Sequence, residues 1–268
     1  MFEANLPRVV LSPRYSADSI AIWQAALAAG WTTARIKHAE AHALQGAIGP
    51  EEVVIYGETL LADAVAAALD LALFEPTAAW LPELPERLRL REVRLCTLGE
   101  ARRIGAGRFI KPVDDKFFPA RVYGAVDIDD VGDELLVLVA EPVRFGLEVR
   151  AFVCDGIVAG LSAYIRDGEI ARGDGDWPLG QVEAAAARAC LERVIAEVPL
   201  PPAVVIDVGE IVGRGWAVVE ANPAWASGLC GVDPRAVLPV LRRACVPCRL
   251  LNEVERRWVR PRLACSLP

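Results

Sequence analysis

VVIDVGEIVGRGWAVVEANPAWASGL, Val204 to Leu229, is two apolar runs joined by a glycine-bearing turn, and the second run breaks into Pro, Trp, Ser and Gly. Strand side chains alternate between faces, so Glu220 and Asn222 project together, about 6.6–6.8 Å apart along the strand. Val204–Ile211 reaches Trp216 through Val212-Gly213-Arg214-Gly215. A hairpin centred between Gly213 and Arg214 sets Asp207 opposite Glu220. Directly opposed residues have Cβ atoms about 4.5–5.5 Å apart, where like charges are destabilising. Two carboxylates facing each other in an apolar hairpin have two explanations. One is a divalent cation held by Asp207, Glu220 and Asn222, whose hard oxygen donors suit Mg²⁺. The other is a solvated pair at the rim of a sheet, with Asn222 opening the turn before Pro223.

Upstream, Lys111 ends the apolar run Arg108-Phe109-Ile110 and precedes Pro112, which forces it into an extended conformation. Lys37, Lys111 and Lys116 are the only lysines among 29 basic residues, and two of them share one short turn, VDDKFFPARVY. A lysine there serves as a point charge for phosphate, or as an ordinary solvated loop residue. Leu135–Val139 then runs through Ala140-Glu141-Pro142-Val143, a plausible hinge between two lobes. In LEVRAFVCDG, Glu148 and Arg150 share one face and Leu147, Val149 and Ala151 the other. An Arg fixed by that Glu is suited to phosphate or carboxylate, or forms a structural salt bridge.

Outward from these runs, two organisations appear. Residues 1–85 read as an α/β unit: Val9-Val10-Leu11 is a strand, and SPRYSADS a loop with caps at Ser16 and Asp18. Ile20, Trp23 and Leu27 recur at helical spacing up to Gly30; EEVVIY is a second strand and LLADAVAAALDLAL a second helix. Strand–helix alternation predicts a parallel sheet. Pro76, Pro82 and Pro85 break the chain before residues 86–250, where strands predominate around one long helix at about 180–198. A last helix starts at Pro234 with Asp233 as its cap, and residues 251–268 form an Arg-rich tail. The expected class is α+β, a small Rossmann-like unit followed by antiparallel hairpins.

The 268 residues are 54% hydrophobic and 24% charged, with net charge −7. That acidity argues against a nucleic-acid footprint, which needs a basic stripe. No apolar run reaches the roughly 18 residues of a membrane span, and MFEANLPRVV lacks the build of a secretory signal, so a cytoplasmic location is expected by default. Seven scattered cysteines make no disulfide framework. Cys245-Val-Pro-Cys248 lacks the two further ligands of a zinc site, which favours ordinary reduced thiols. His38 and His42 read as a surface pair.

Taken in order, FIKP, AEPV, LEVRAFVCDGIVAGLSAYIRDG and VVIDVGEIVGRGWAVVEANPAWASGL resemble the motifs of the ATP-grasp superfamily. The match covers about residues 108–241, and the first unit resembles the α/β domain that often precedes the grasp. This resemblance implies ATP and Mg²⁺, with Mn²⁺ as a possible substitute, and Asp207, Glu220 and Asn222 as metal ligands. It implies Lys111 and Lys116 as nucleotide and phosphate contacts, and Glu141 and Val143 at the adenine and ribose hinge. Glu148 and Arg150 would belong to the nucleotide site, with Arg150 and Lys116 acting at the transferred phosphate. The implied activity is a carboxylate–amine (or thiol) ligase on a small molecule or peptide, working through an acylphosphate and releasing ADP and phosphate. A phosphotransferase and a non-catalytic nucleotide-binding module are the rivals. The segment after Lys111 departs from the family's glycine-rich loop, having no glycine until Gly124. Arg14 and the Trp177 loop are candidate substrate contacts; Ser227 and Gly228 would let substrate approach the metal.

Overall fold

The computed structural model describes residues 6–113 and 117–261. β1 (Arg8–Leu11) leads into α1 (Ala17–Ala28), opened by a reciprocal capping box between Ser16 and Ser19. β2 (Thr32–Arg35) follows; its sequence, TTAR, carries no apolar run to announce it. β3 (Val53–Tyr56) and α2 (Thr59–Leu69) complete the unit. The three strands are parallel in the order β2–β1–β3, as the alternation predicts. α2 is shorter than its apolar run, because Asp70 turns left-handed (φ 51°) and Leu71–Leu73 becomes β4. Ile20, Trp23 and Leu27 are 37–46% exposed; α1 buries Ser19, Ile22, Ala25 and Ala26 instead. Its small residues let neighbouring elements approach closely, and that outweighs the larger apolar spacing.

The proline-punctuated segment forms two single turns, α3 (Trp80–Glu83) and α4 (Glu86–Arg89). Trp80, Leu81, Leu84 and Leu88 are nonetheless buried, and the Trp80 indole N–H donates to Pro199 O at 3.1 Å. β5 (Val93–Thr97), α5 (Leu98–Ile104), β6 (Arg108–Pro112), β7 (Arg121–Tyr123) and β8 (Leu136–Ala140) build an antiparallel sheet ordered β5–β8–β6–β7. A five-stranded antiparallel sheet follows from β9 (Phe145–Cys154), β10 (Ile157–Arg166), β11 (Glu169–Ile170), β12 (Ala203–Ile211) and β13 (Gly215–Pro223), in the order β11–β10–β9–β12–β13. α6 (Gln181–Glu197) lies between β11 and β12 in the chain. It packs on the sheet through Ala187, Cys190, Leu191 and Val194, whose spacing is one helical face.

α7 (Pro234–Arg243) is capped by Asp233, which accepts from Arg235 N–H at 2.9 Å. The chain then returns to the N-terminal unit. β14 (Cys245–Pro247) pairs antiparallel with β4, and α8 (Glu253–Arg256) follows. One core joins the parallel sheet to Phe152, Val205, Trp225, Val237 and Leu241 from later in the chain. A second lies under the five-stranded sheet, and a third within the four-stranded one. Parallel and antiparallel sheets are thus segregated, the expected α+β arrangement. No helix of the described residues is long and apolar enough to cross a membrane.

The β12–β13 hairpin differs from its expected centre. Ile211 pairs with Gly215, Gly209 with Ala217 and Val208 with Val218, so the turn is centred on Gly213. The register then shifts by one residue, and Asp207 pairs with Glu220. Val219 is the extra residue of a β-bulge. The predicted carboxylate pair therefore exists, through a different turn and a bulge that compensates for it.

Candidate active site

Ser162 on β10, Arg150 on β9, Asp207 on β12 and Glu220 on β13 are directly opposed in succession, making one row across four strands. Asp207 is fully buried in a strand whose other residues are almost all apolar. A buried carboxylate costs several kcal/mol unless it is paired and hydrogen-bonded. Arg150 supplies both: Nε donates to Oδ1 at 2.9 Å and Nη2 to Oδ2 at 2.7 Å. Burial pushes Asp207 up while this fork pulls the other way. The Arg150 plane stacks on the Tyr164 ring at 4.1 Å, and Nη1 donates to Gly228 O at 3.3 Å. Arg150 is thus fixed by Asp207 on the next strand, not by Glu148 on its own, because cross-strand neighbours stand closer than residues two apart.

Lys111 reaches the row from the other sheet. Its Nζ donates to Glu220 Oε2 at 2.5 Å, and Asn222 Nδ2 donates to Glu220 Oε1 at 2.9 Å. Burial works to raise the Glu220 carboxyl, but the Lys111 charge overrides it and lowers it to about 2. Glu148, two residues from Arg150, is pushed up to about 7 by burial first and then by the charges of Asp207 and Glu220. Lys116 lies outside the described residues.

The sequence-predicted hinge is occupied by an ion pair. Glu141 Oε1 accepts from Arg214 Nη2 at 2.6 Å, which ties the hinge to the β12–β13 turn and keeps this carboxyl below its ordinary range. Val143 is half-buried in the irregular stretch before β9. His38 and His42 are exposed, and Cys245 is buried with its thiol donating to Val53 O at 3.4 Å, so neither the histidines nor the cysteine pair joins the row.

Beyond Asn222 the chain is held by the N-terminal unit. Gly57 N–H donates to Trp225 O at 3.0 Å and the Tyr56 hydroxyl to Ser227 O at 3.1 Å. Asp18, expected as a helix cap, instead accepts from Leu229 N–H at 3.0 Å. Between these partners is a cavity of about 240 Å³, lined by Ser12, Arg14, Ser16, Asp18, Glu58 and Gly228 among others. It opens at the carboxyl ends of β1 and β3 beside the central strand of the parallel sheet, where crevices of such sheets commonly take ligands. Gly228, which lines it, also accepts from Arg150, so cavity and row share a wall. The Trp177 loop lies elsewhere, its ring against Gly231. Asp18, Tyr56 and Tyr164 carry no motif, and only their place in the fold reveals them.

Two carboxylates and one amide are a hard-oxygen donor set of the kind Mg²⁺ takes. No group of three or more His, Cys, Asp or Glu side chains poised for a metal occurs among the described residues. The set fits because Asn222 spends its N–H on Glu220, which leaves its carbonyl oxygen as an acceptor.

The chain matches a family model described as an ATP-grasp domain, family 2 of its clade, over residues 88–240. That is more than half of its length, and the chain belongs to this ATP-grasp family. No curated protein matches it in sequence. Among solved structures it is similar to N5-carboxyaminoimidazole synthase from Aspergillus clavatus, in complex with ADP and 5-aminoimidazole ribonucleotide, with TM-score 0.54, 11% identity and coverage of 94% of this chain and 79% of that one. A RimK domain ATP-grasp protein from Sphaerobacter thermophilus is 19% identical over 94% of this chain and 99% of that one, with TM-score 0.48. At 11% identity the likeness to the synthase is one of fold.

Proposed function

From membership of the ATP-grasp family, we propose that this protein is an ATP- and Mg²⁺-dependent ligase that joins a carboxylate to an amine, or to a thiol. The observation that carries the reading is the row Arg150–Asp207–Glu220 with Lys111 facing it from the second sheet. It sets two cations and two carboxylates in the gap between two sheets, as phosphoryl transfer requires: positioning and charge neutralisation, with little acid–base work. Asp207, Glu220 and Asn222 would hold Mg²⁺, which supplies neutralisation of phosphate charge when bound.

Lys111 has Glu220 as its partner and would exchange it for nucleotide phosphate. Arg150 keeps its orientation through Asp207 and Tyr164, so its Nη1 edge presents a fixed positive charge toward the substrate cavity. Glu141 and Val143 would frame the base and ribose, Glu148 would line the same pocket, and Lys116 would reach the phosphates. The nucleotide supplies the phosphoryl group that activates the carboxylate as an acylphosphate, and the amine then displaces phosphate. The cavity beside Ser12, Arg14 and Gly228 would hold the small-molecule or peptide end that carries the carboxylate. Its acids and arginine would select a dipolar ligand.

In support, the Aspergillus synthase of like fold is in complex with ADP and 5-aminoimidazole ribonucleotide. The test is a screen of amino acids and short peptides for ADP release. The reading expects release only when both an acid and an amine are present. A phosphorylated product that accumulates with a single substrate would make the protein a phosphotransferase instead.

A further inference from the structure

We infer that Arg91 is a positioning residue, which holds the β13 bulge and thereby turns Glu220 and Asn222 toward the cleft. This rests on the reading of those residues as metal ligands. With the pairing set at the turn, Val219 would oppose Asp207, and Glu220 and Asn222 would face the core beneath the sheet, since a one-residue slip flips every side chain. The bulge prevents that. Its effect is visible in the core, which receives Trp216 and Val218 before the bulge but Ala221 after it.

A bulge leaves backbone groups outside the ladder, and β13 is an edge strand with no further neighbour to take them. Arg91 takes them: Nη1 donates to Val218 O at 2.7 Å and Nη2 to Val219 O at 2.8 Å. Carbonyls of consecutive strand residues ordinarily point to opposite edges, so one guanidinium reaches both only where the strand is bulged. Arg91 is 7% exposed, and its Nη1 also donates to Arg89 O at 3.0 Å. No carboxylate pairs with it among the described residues, so its buried charge is spent on carbonyls alone. The Phe145 ring covers it at 5.3 Å and also fills the space a side chain at Gly209 would need. Lysine lacks the planar fork to bridge two acceptors.

The test is Mn²⁺ binding in the presence of ADP, read by electron paramagnetic resonance on the full chain. Wild type, Glu220→Gln and Arg91→Lys are compared at a temperature where all three are folded. Arg91→Lys is expected to weaken Mn²⁺ at least tenfold, approaching Glu220→Gln, and amide hydrogen exchange is expected to rise at residues 218–222. Wild-type affinity in folded Arg91→Lys would make Arg91 a structural residue only. Equal affinity in wild type and Glu220→Gln would overturn the metal reading itself, and this inference with it. If Arg91→Lys does not fold, Phe145→Leu loosens the guanidinium while keeping its donors. A three- to tenfold loss is expected there, and no loss overturns the inference.

Discussion

Arg150 and Asp207 meet on neighbouring strands of one sheet, whereas Lys111 and Glu220 meet across the gap between two sheets. In the first pair the side chains are 8% and 0% exposed, and in the second 28% and 27%. The first has two parallel hydrogen bonds and a stacked ring; the second has one contact and an open side. Breaking the first strands a charge in a dry interior, so it belongs to the scaffold. Breaking the second exposes two groups that water reaches, so it can be traded for ligand at small cost. Both pairs bring one cation to one carboxylate, and burial alone separates their roles.

The sharpest way to break this contrast is Asp207→Ala. Removing one partner of a buried pair costs about 3–5 kcal/mol, and denaturant titration should read a loss of that size. Gly209→Ala comes next. An added Cβ would stand 2.7 Å from Phe145 Cδ1 and 2.9 Å from Leu147 O, and backbone cannot give way as a side chain does. Overpacking of this kind costs about 1–3 kcal/mol, measured the same way.

Acidity sharpens the comparison further. Glu148 is held up at about 7, so the folded state keeps its proton over a range where the unfolded chain has lost it. Its contribution is present below the unfolded value of about 4.3 and is lost as pH rises to about 7, on the order of 1–3 kcal/mol. Glu220 acts oppositely: its contribution is present above that unfolded value and is lost as pH falls toward about 2. Melting temperature against pH should fall less between pH 5 and 7 in Glu148→Gln than in wild type, about 2 units of pH being enough to read the slope. An unchanged slope would remove Glu148 as its source.

Lys111→Met is the smallest effect on stability. A part-exposed pair contributes about 0–1 kcal/mol. Its larger consequence is for ligand: Mg-ATP should raise the melting temperature of wild type by mass action, and much less in this variant. A large stability loss without change in the ligand shift would reverse the roles assigned to the two pairs.

What can be read in the sequence follows from range. The hairpin of Val204–Pro223 shows itself through strict alternation and a glycine turn, so Asp207 and Glu220 pair as expected. The bulge that corrects the register is hidden, because Val218-Val219 looks like any strand interior. Glu148 reads as the partner of Arg150 because both lie on one strand, while the true partner lies on another. The Lys111–Glu220 contact spans separate sheets and leaves no spacing to detect. Arg91 is the least legible of all. It acts on main-chain carbonyls, which every residue carries.

The pairing of β4 with β14 governs how this chain is made. Leu71–Leu73 leaves the ribosome early with one edge bare, and its cover, Cys245–Pro247, is translated only after both antiparallel sheets. Arg260, which joins Asp63 and Glu75, arrives later still. The N-terminal unit therefore waits, half-closed, through synthesis of everything between. A chaperone that shields a short bare edge would find its longest opportunity there.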